Sequence, residues 1–168
     1  VLESTITVAK NEWKYVADLE TDFATDLVKI DALPSELNQA FLNIIVNAAH
    51  AIGDRVKSKE LEKGRLRIST KSAADHVLVT IQDNGGGIPE KIREKVFEPF
   101  FTTKEVGKGT GQGLAIAYTV IVQKHGGKLS FSIEEGVGTT FHVELPIETT
   151  PTADEETDPT RELAEVAK

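Results

Sequence analysis

A glycine-rich stretch between a predicted strand and a predicted helix most limits how this chain can fold. Seven of its thirteen glycines lie between positions 83 and 113. Glycine allows positive φ angles and lets a ligand come close to the backbone. The pattern therefore predicts a long irregular segment, interrupted by a short helix over 89–95. Composition alone does not distinguish a ligand-binding segment from a set of tight turns.

Hydrophobic periodicity predicts about three helices and six candidate strands. The longest helix is predicted over 34–59, where Leu37, Phe41, Ile44 and Ile45 recur at helical spacing. A second long helix is expected over 112–125. Strands are predicted near 15–20 and 27–30 and over 65–71, 76–82, 128–133 and 139–145. The resulting expectation is an α+β fold, a two-layer sandwich with a sheet of about five strands and about three helices on one face.

Composition and charge exclude several classes of protein. The 168 residues carry a formal net charge of −8 and no cysteine, which argues against nucleic acid as a partner and excludes disulfides and thiolate metal sites. The nearly apolar runs 41–49 and 114–122 are too short to span a bilayer, so no membrane insertion is expected. The chain contains no methionine and begins at Val1, so we expect it to be part of a longer protein.

The C-terminal residues differ in composition from the rest. Residues 151–168 hold six acidic and two basic side chains, and the stretch 148–160 is rich in threonine and proline. Such a segment has little apolar surface to bury. We predict a domain over 1–148 and an acidic, disordered tail over 149–168.

A polar stripe follows the long predicted helix beside its apolar face. It comprises Gln39, Asn43, Asn47, His50 and Asp54, at spacings of three or four residues. A solvated helix face is the usual meaning of such a stripe. Asparagine, however, is a poor residue for a helix interior, and both asparagines have strongly apolar neighbours. The stripe is therefore a candidate ligand-binding face.

Three further segments carry possible chemistry. Residues 83–87 place an aspartate and three glycines directly after a strand, and residues 107–113 place four glycines before a helix, where free backbone amides suit an anion. Neither a Walker A motif nor the G-x-G-x-x-G fingerprint is present. Between them, residues 97–101 hold three of the seven phenylalanines. This cluster is expected to form a hydrophobic anchor, a docking patch or a buried plug.

Taken in this order, the segments resemble the ATP-binding catalytic domain of bacterial sensor histidine kinases. This domain has the Bergerat fold, which gyrase, Hsp90 chaperones and MutL share. Residues 43–48 look like the N box of the family, 83–87 like the G1 box, 97–101 with 102–104 like the F box and the start of the ATP lid, 109–114 like the G2 box, and 136–141 like the last glycine motif. The resemblance covers about residues 5–146.

The resemblance implies specific roles. Asp83 would accept a hydrogen bond from the adenine amino group, supported through water by Thr140. Asn47 would bind Mg²⁺, and Asn43 and Lys104 would be the catalytic residues. His50 stands where many members have a basic residue that faces phosphate. The residues expected to contact ATP are Asn43, Asn47, His50, Asp83, Gly85, Gly87, Ile88, Phe101, Thr102, Thr103, Lys104, Gly109, Thr110, Gly111, Gln112, Gly113, Leu114 and Thr140.

The phosphoacceptor histidine of the family is not expected in this chain. None of the four histidines is followed by the acidic residue that begins the acceptor motif. The resemblance therefore implies a separate helical dimerisation and phosphoacceptor domain as partner, a response regulator downstream, and a cytoplasmic location, with anchoring of the parent protein in the inner membrane left open. Two alternatives are an ATPase of the gyrase, Hsp90 or MutL type and an inactive nucleotide-binding module. Asn43 stands where those ATPases have a carboxylate, which favours the kinase.

Overall fold

A five-stranded mixed sheet with helices on one face forms the fold of the computed structural model, which describes residues 1–101, 111–134 and 136–147. In chain order the elements are α1 (Leu2–Val8), α2 (Lys10–Trp13), β1 (Ala17–Phe23), α3 (Pro34–Lys57), β2 (Gly64–Ser72), β3 (His76–Asp83), a 3₁₀ helix (Glu90–Lys95), α4 (Gly113–Tyr118), a π-helical turn (Thr119–Lys124), β4 (Lys128–Glu134) and β5 (Gly138–Pro146). The strand order is β1-β2-β3-β5-β4, with β1 parallel to β2 and all other pairs antiparallel. The predicted two-layer α+β architecture is confirmed.

The core lies between the sheet and α3. In β3, Val77, Val79 and Ile81 are buried while the residues between them are only partly buried, which is the alternation that the sequence shows. The apolar stripe of α3 covers this face with Ile44, Ile45 and other buried side chains. Burying these faces against each other fixes the register of the sheet, because a shift by one residue would expose the apolar side chains.

The beginning of the chain is the part that the sequence predicted least well. The strand expected near 15–20 is β1, displaced to Ala17–Phe23, and α1 and α2 were not predicted. The strand expected over 27–30 is wrong: this stretch is irregular, and Leu27 and Val28 are 39% and 42% exposed. Neither side chain belongs to a buried strand face. The stretch meets the rest of the fold through the Val28 amide, which donates to the Ser72 hydroxyl (3.2 Å), and through Ile30, which packs against the core.

The helix expected over 112–125 is present in altered form. The α-helical part is α4, and a π-helical turn over Thr119–Lys124 continues it. This turn contains a run of β-branched residues, which restrict side-chain rotamers in a helix. His125 closes the turn: its buried ring donates from Nδ1 to the Val120 carbonyl (2.7 Å), and its Nε2 accepts from the amide of Leu33 (3.1 Å). His125 thereby joins this turn to the start of α3.

Among the described residues, the longest helix is α3, and no helix combines the length and apolar character that a bilayer crossing requires.

Candidate functional site

Asp83 is a buried carboxylate at the end of β3. Its residue is 2% exposed, and Oδ1 accepts a hydrogen bond from the backbone amide of Gly85 (2.8 Å). Burial raises the pKa of Asp83 to about 6, although hydrogen bonds from the amides of Gly85 and Thr139 partly oppose the shift. A buried carboxylate whose pKa is raised by desolvation is typical of a functional site.

Close backbone approaches explain two glycines around Asp83. A Cβ on Gly85 would lie 2.6 Å from the Cβ of Ala51 on α3 and 2.8 Å from Asp83 Oδ1, so a side chain there would force the loop away from the helix. Gly138 has φ +144°, and its Cβ would overlap the carbonyl oxygen of Asp83. Both glycines therefore allow the backbone to close around the carboxylate.

Asn43, Asn47 and Ala51 follow one another at four-residue spacing and share one face of α3. One end of this face meets the second glycine segment, because a Cβ on Gly113 would lie 3.6 Å from the Asn43 side chain. The other end meets Gly85 through Ala51. Asn47 thus lies between the two glycine segments, and we call the space between those segments and this face of α3 the cleft.

Asn43 has an unsatisfied donor in this cleft. Within the described part of the chain, its Nδ2 is buried and has no hydrogen-bond partner. A buried donor without an acceptor costs free energy, about 1–3 kcal/mol. An acceptor oxygen of a ligand, such as a phosphate oxygen, would remove that cost.

The register between β3 and β5 places Thr139, and not the predicted Thr140, opposite Asp83. Thr139 is the cross-strand partner of Asp83, is buried, and donates its amide to the Asp83 carboxylate. Thr140 is opposite Gln82 and, since side chains alternate along a strand, points to the other face of the sheet. Thr139 rather than Thr140 thus lies opposite Asp83, and the water-mediated contact of Thr140 with adenine stays a prediction. Alternation of buried positions along β5 was the signal that could have identified Thr139.

The phenylalanine cluster has two parts. Phe97 packs against the rings of Tyr118 and Phe131, with centroids 5.5 and 5.8 Å away, and so anchors this segment to the core. Phe100 is 73% exposed and has a positive φ of 64°. A Cβ on Gly111 would lie 2.6–2.8 Å from the backbone of Phe100 and Phe101, so the second glycine segment touches the end of the phenylalanine cluster. Phe97 therefore anchors the cluster in the core, whereas Phe100 is an exposed side chain.

Other predicted residues lie in or near this cleft. Ile88 and Leu114 are half-buried and pack on the core beside their glycine segments. Gly87 has φ +74° beside Ile133, and Gln112 is the residue before α4. His50 has Nε2 3.8 Å from Glu12 Oε2 on α2, so an acid of the N-terminal segment is close to the predicted phosphate contact. Five predicted residues lie outside the described residues: Thr102, Thr103, Lys104, Gly109 and Thr110.

The side chains around the cleft suit a magnesium ion only if a bound ligand supplies further oxygen atoms. Among the described residues, no group of three or more histidine, aspartate or glutamate side chains could hold a metal. Asn47 has one amide oxygen and lies on the same face of α3 as Asn43 and Ala51. Mg²⁺ is commonly bound through few protein ligands together with waters and substrate phosphates. Asn47 therefore fits a magnesium ion that enters with a nucleotide.

Comparisons with known proteins agree with this geometry. The family described as "Histidine kinase-, DNA gyrase B-, and HSP90-like ATPase" matches residues 32–149. The chain is 38% identical over 136 residues to sensor kinase CckA of Brucella abortus (strain 2308), a match over 77% of this chain and 14% of CckA. The nucleotide-free catalytic domain of histidine kinase ThkA superimposes with a TM-score of 0.70 at 27% identity, over 86% of this chain and 89% of that one.

Full-length ShkA, solved in complex with AMPPNP, also superimposes with a TM-score of 0.70, at 25% identity over 88% of this chain and 29% of ShkA. The chain thus spans only a minor part of CckA and of ShkA. The match with ThkA, in contrast, is to a catalytic domain over nearly its whole length. The chain belongs to the family of histidine kinase-, DNA gyrase B- and HSP90-like ATPases, and it is an ATP-binding catalytic domain of the sensor histidine kinase type.

Proposed function

We propose that the cleft between α3 and the two glycine segments binds Mg·ATP, and that the domain transfers the γ-phosphoryl group to a histidine of a separate helical domain. The observation that carries the proposal is the buried Asp83 carboxylate, held by backbone amides at the end of β3 and facing the layer of α3. A desolvated carboxylate binds an N–H donor strongly, and the amino group of adenine is such a donor.

Different residues of the chain then bind the base, the magnesium ion and the phosphates. Asp83 accepts from the base, with Thr139 rather than Thr140 beside it. Asn47 holds the magnesium ion, and the unpaired Nδ2 of Asn43 donates to a phosphate oxygen. Lys104 and the amides of 109–113 hold the β- and γ-phosphates. Phosphoryl transfer asks the protein mainly for such positioning and charge neutralisation.

The histidines of the chain are poor phosphoryl acceptors, which supports an acceptor on another domain. Both ring nitrogens of His125 are hydrogen-bonded in a buried position. His76 begins β3 and Asp83 ends it, so His76 lies at the other end of the strand from the proposed base site, and His142 contacts Ser132 on the open face of the sheet (3.0 Å). His50 lies on the same helix as Asn47, which favours a role as a phosphate ligand over in-line attack. The transfer breaks the bond between the γ-phosphorus and the bridging oxygen of ADP and forms a phosphorus–nitrogen bond to the acceptor imidazole.

The proposal includes the remaining expectations for the parent protein. These are a helical dimerisation and phosphoacceptor domain in direct contact with this domain, a response regulator that receives the phosphoryl group, and a cytoplasmic location, where ATP is available. Hydrolysis without a partner should be slow. Asn43 occupies the place one helical turn before Asn47, and an amide cannot take a proton from water as a general base.

Incubation with γ-labelled ATP tests the proposal, with the chain alone and with the helical acceptor domain of its parent. We expect no acid-labile label on the chain alone and label on the acceptor domain in the mixture. Asp83→Asn is the matched variant and should abolish the labelling. Stoichiometric labelling of the chain itself would contradict the assignment of the acceptor. Fast ATP turnover without any partner would favour the ATPase function instead.

A further inference from the structure

Two arginines outside the sequence motifs hold the two ends of the glycine loop that follows Asp83. This loop, residues 84–88, contains three consecutive glycines. At its start, Nη1 of Arg55 donates to the carbonyl oxygen of Asn84 (3.1 Å). At its end, Nε of Arg93 donates to the carbonyl oxygen of Ile88 (3.0 Å). Arg55 comes from the last turn of α3 and Arg93 from the 3₁₀ helix, so the loop is fixed from opposite sides.

The turn after α3 orients Arg55. Its Nε lies 3.1 Å from Glu60 Oε2, and the Ser58 hydroxyl contacts both the other Glu60 oxygen (2.9 Å) and the Arg55 carbonyl (3.1 Å). The Arg55 side chain is only 22% exposed, whereas that of Glu60 is 58% exposed. The guanidinium is therefore packed and directed at the loop by a network of its own, and its partner Glu60 would remain solvated without it.

Asn84 is also held by the Arg65 backbone, through its amide (3.3 Å) and its side-chain oxygen (2.6 Å), so the added restraint matters most for the glycines that follow it. Glycine loses more conformational freedom on ordering than any other residue. Within the described ranges, a Cβ on Gly86 would meet no atom closer than 4 Å, so packing against them does not restrict this residue. Gly85 is tied to Asp83 through its amide. A binding loop that is ordered before the ligand arrives does not lose this entropy on binding.

We propose that Arg55 and Arg93 are positioning residues, which clamp the glycine loop in the conformation that receives the nucleotide base. The inference rests on the proposed function for the identity of the ligand. The clamp itself is a property of the ligand-free chain. Among the described residues, the side chains of the two arginines donate hydrogen bonds to Glu60, Asn84 and Ile88 and not to Asn43 or Asn47, so we expect the clamp to act on binding and to leave the chemical step unchanged.

The first experiment measures ATP affinity by calorimetry for Arg55→Gln, Arg93→Gln and the double variant. We expect the Kd to rise about tenfold for Arg55→Gln, the low end for a charge-assisted hydrogen bond, and about threefold for the more exposed Arg93→Gln. The double variant should lose about 30-fold if the two ends act independently. Arg55→Lys keeps one donor and should recover part of the loss. Lys128→Gln is the control, because Lys128 at the start of β4 is exposed and pairs with Glu144 (3.7 Å), five residues along β5 from Thr139, the cross-strand partner of Asp83.

In phosphotransfer to the acceptor domain, the variants should raise KM for ATP and leave kcat within about twofold. A variant that lowers kcat with unchanged KM would overturn the positioning role. Equal affinity of all variants for ATP, in a chain whose Asp83→Asn variant has lost it, would overturn the clamp and leave the proposed function intact.

Hydrogen exchange of the Gly85 amide in the nucleotide-free chain provides a test that does not depend on ATP. We expect exchange to accelerate about tenfold in Arg55→Gln and to remain unchanged in Lys128→Gln. If the parent chain failed to bind ATP, the proposed function would fail, and this measurement would still decide the clamp. Unchanged Gly85 exchange in Arg55→Gln and in the double variant would refute it.

Discussion

Replacing Asp83 with asparagine should stabilise the nucleotide-free domain while removing its ligand. Burial raises the pKa of Asp83 from 3.8 to about 6. Between these values the unfolded chain loses the proton and the folded domain keeps it, so the free energy of unfolding falls as the pH rises from about 4 to about 6. Each pKa unit corresponds to about 1.4 kcal/mol, so the ionised carboxylate costs the folded state about 3 kcal/mol at pH 7.5. The amide has no such cost.

Asp83→Asn also removes one hydrogen-bond acceptor, which reduces the expected gain in the free energy of unfolding. Asparagine keeps an oxygen for the Gly85 amide but presents an NH₂ group where the Thr139 amide donates, which costs about 1 kcal/mol. We therefore expect Asp83→Asn to raise the free energy of unfolding by about 2 kcal/mol at pH 7.5 and by about 0.5 kcal/mol at pH 5. Urea denaturation of both proteins without nucleotide at the two pH values measures this. A difference that does not change with pH, or a variant less stable than the parent at pH 7.5, would refute the assignment of a strained buried carboxylate.

Three further predictions address the cleft and the fold. Asn47→Ala should leave the free energy of unfolding within about 1 kcal/mol and remove most of the Mg²⁺ dependence of ATP binding in calorimetry, since the apolar face of α3 is unchanged. Gly85→Ala should lower the free energy of unfolding by about 1–3 kcal/mol and weaken ATP binding, because its Cβ would meet Ala51. Gly86→Ala, with open space around it among the described residues, is the control. Equal effects of the two substitutions would contradict the close contact. His125→Phe should lower the free energy of unfolding measured by urea denaturation by about 2 kcal/mol, because the buried Leu33 amide and Val120 carbonyl lose their partner. His142→Ala on the open face should lower it by less than about 1 kcal/mol.

Local pattern was sufficient for the elements that form the core. The alternation along β3 and the helical spacing along α3 both follow directly from burial of one face, so the sequence predicts them well. The same physics explains the failure over 27–30, where Leu27 and Val28 have strand propensity but no face to bury. Propensity without periodicity is weak evidence for a strand.

Contacts between distant segments could not be predicted. The choice between Thr139 and Thr140 depends on which of them lies opposite Asp83, which only the pairing of β3 with β5 decides. Arg55 and Arg93 resemble ordinary surface arginines in the sequence, and their function depends on how a helix end and a 3₁₀ helix are placed beside one loop. The π-helical turn likewise depends on His125 reaching the Leu33 amide, 92 residues away in the chain.

Titration of the chain with Mg·ATP and with Mg·GTP by calorimetry tests the central claim most directly, because the proposed function requires Asp83 to recognise the adenine amino group. We predict that the parent chain binds ATP and strongly discriminates against GTP, and that Asp83→Asn lowers the affinity for ATP about 10- to 150-fold together with most of that discrimination. An Asp83→Asn variant that binds ATP within twofold of the parent would show that Asp83 does not recognise the base.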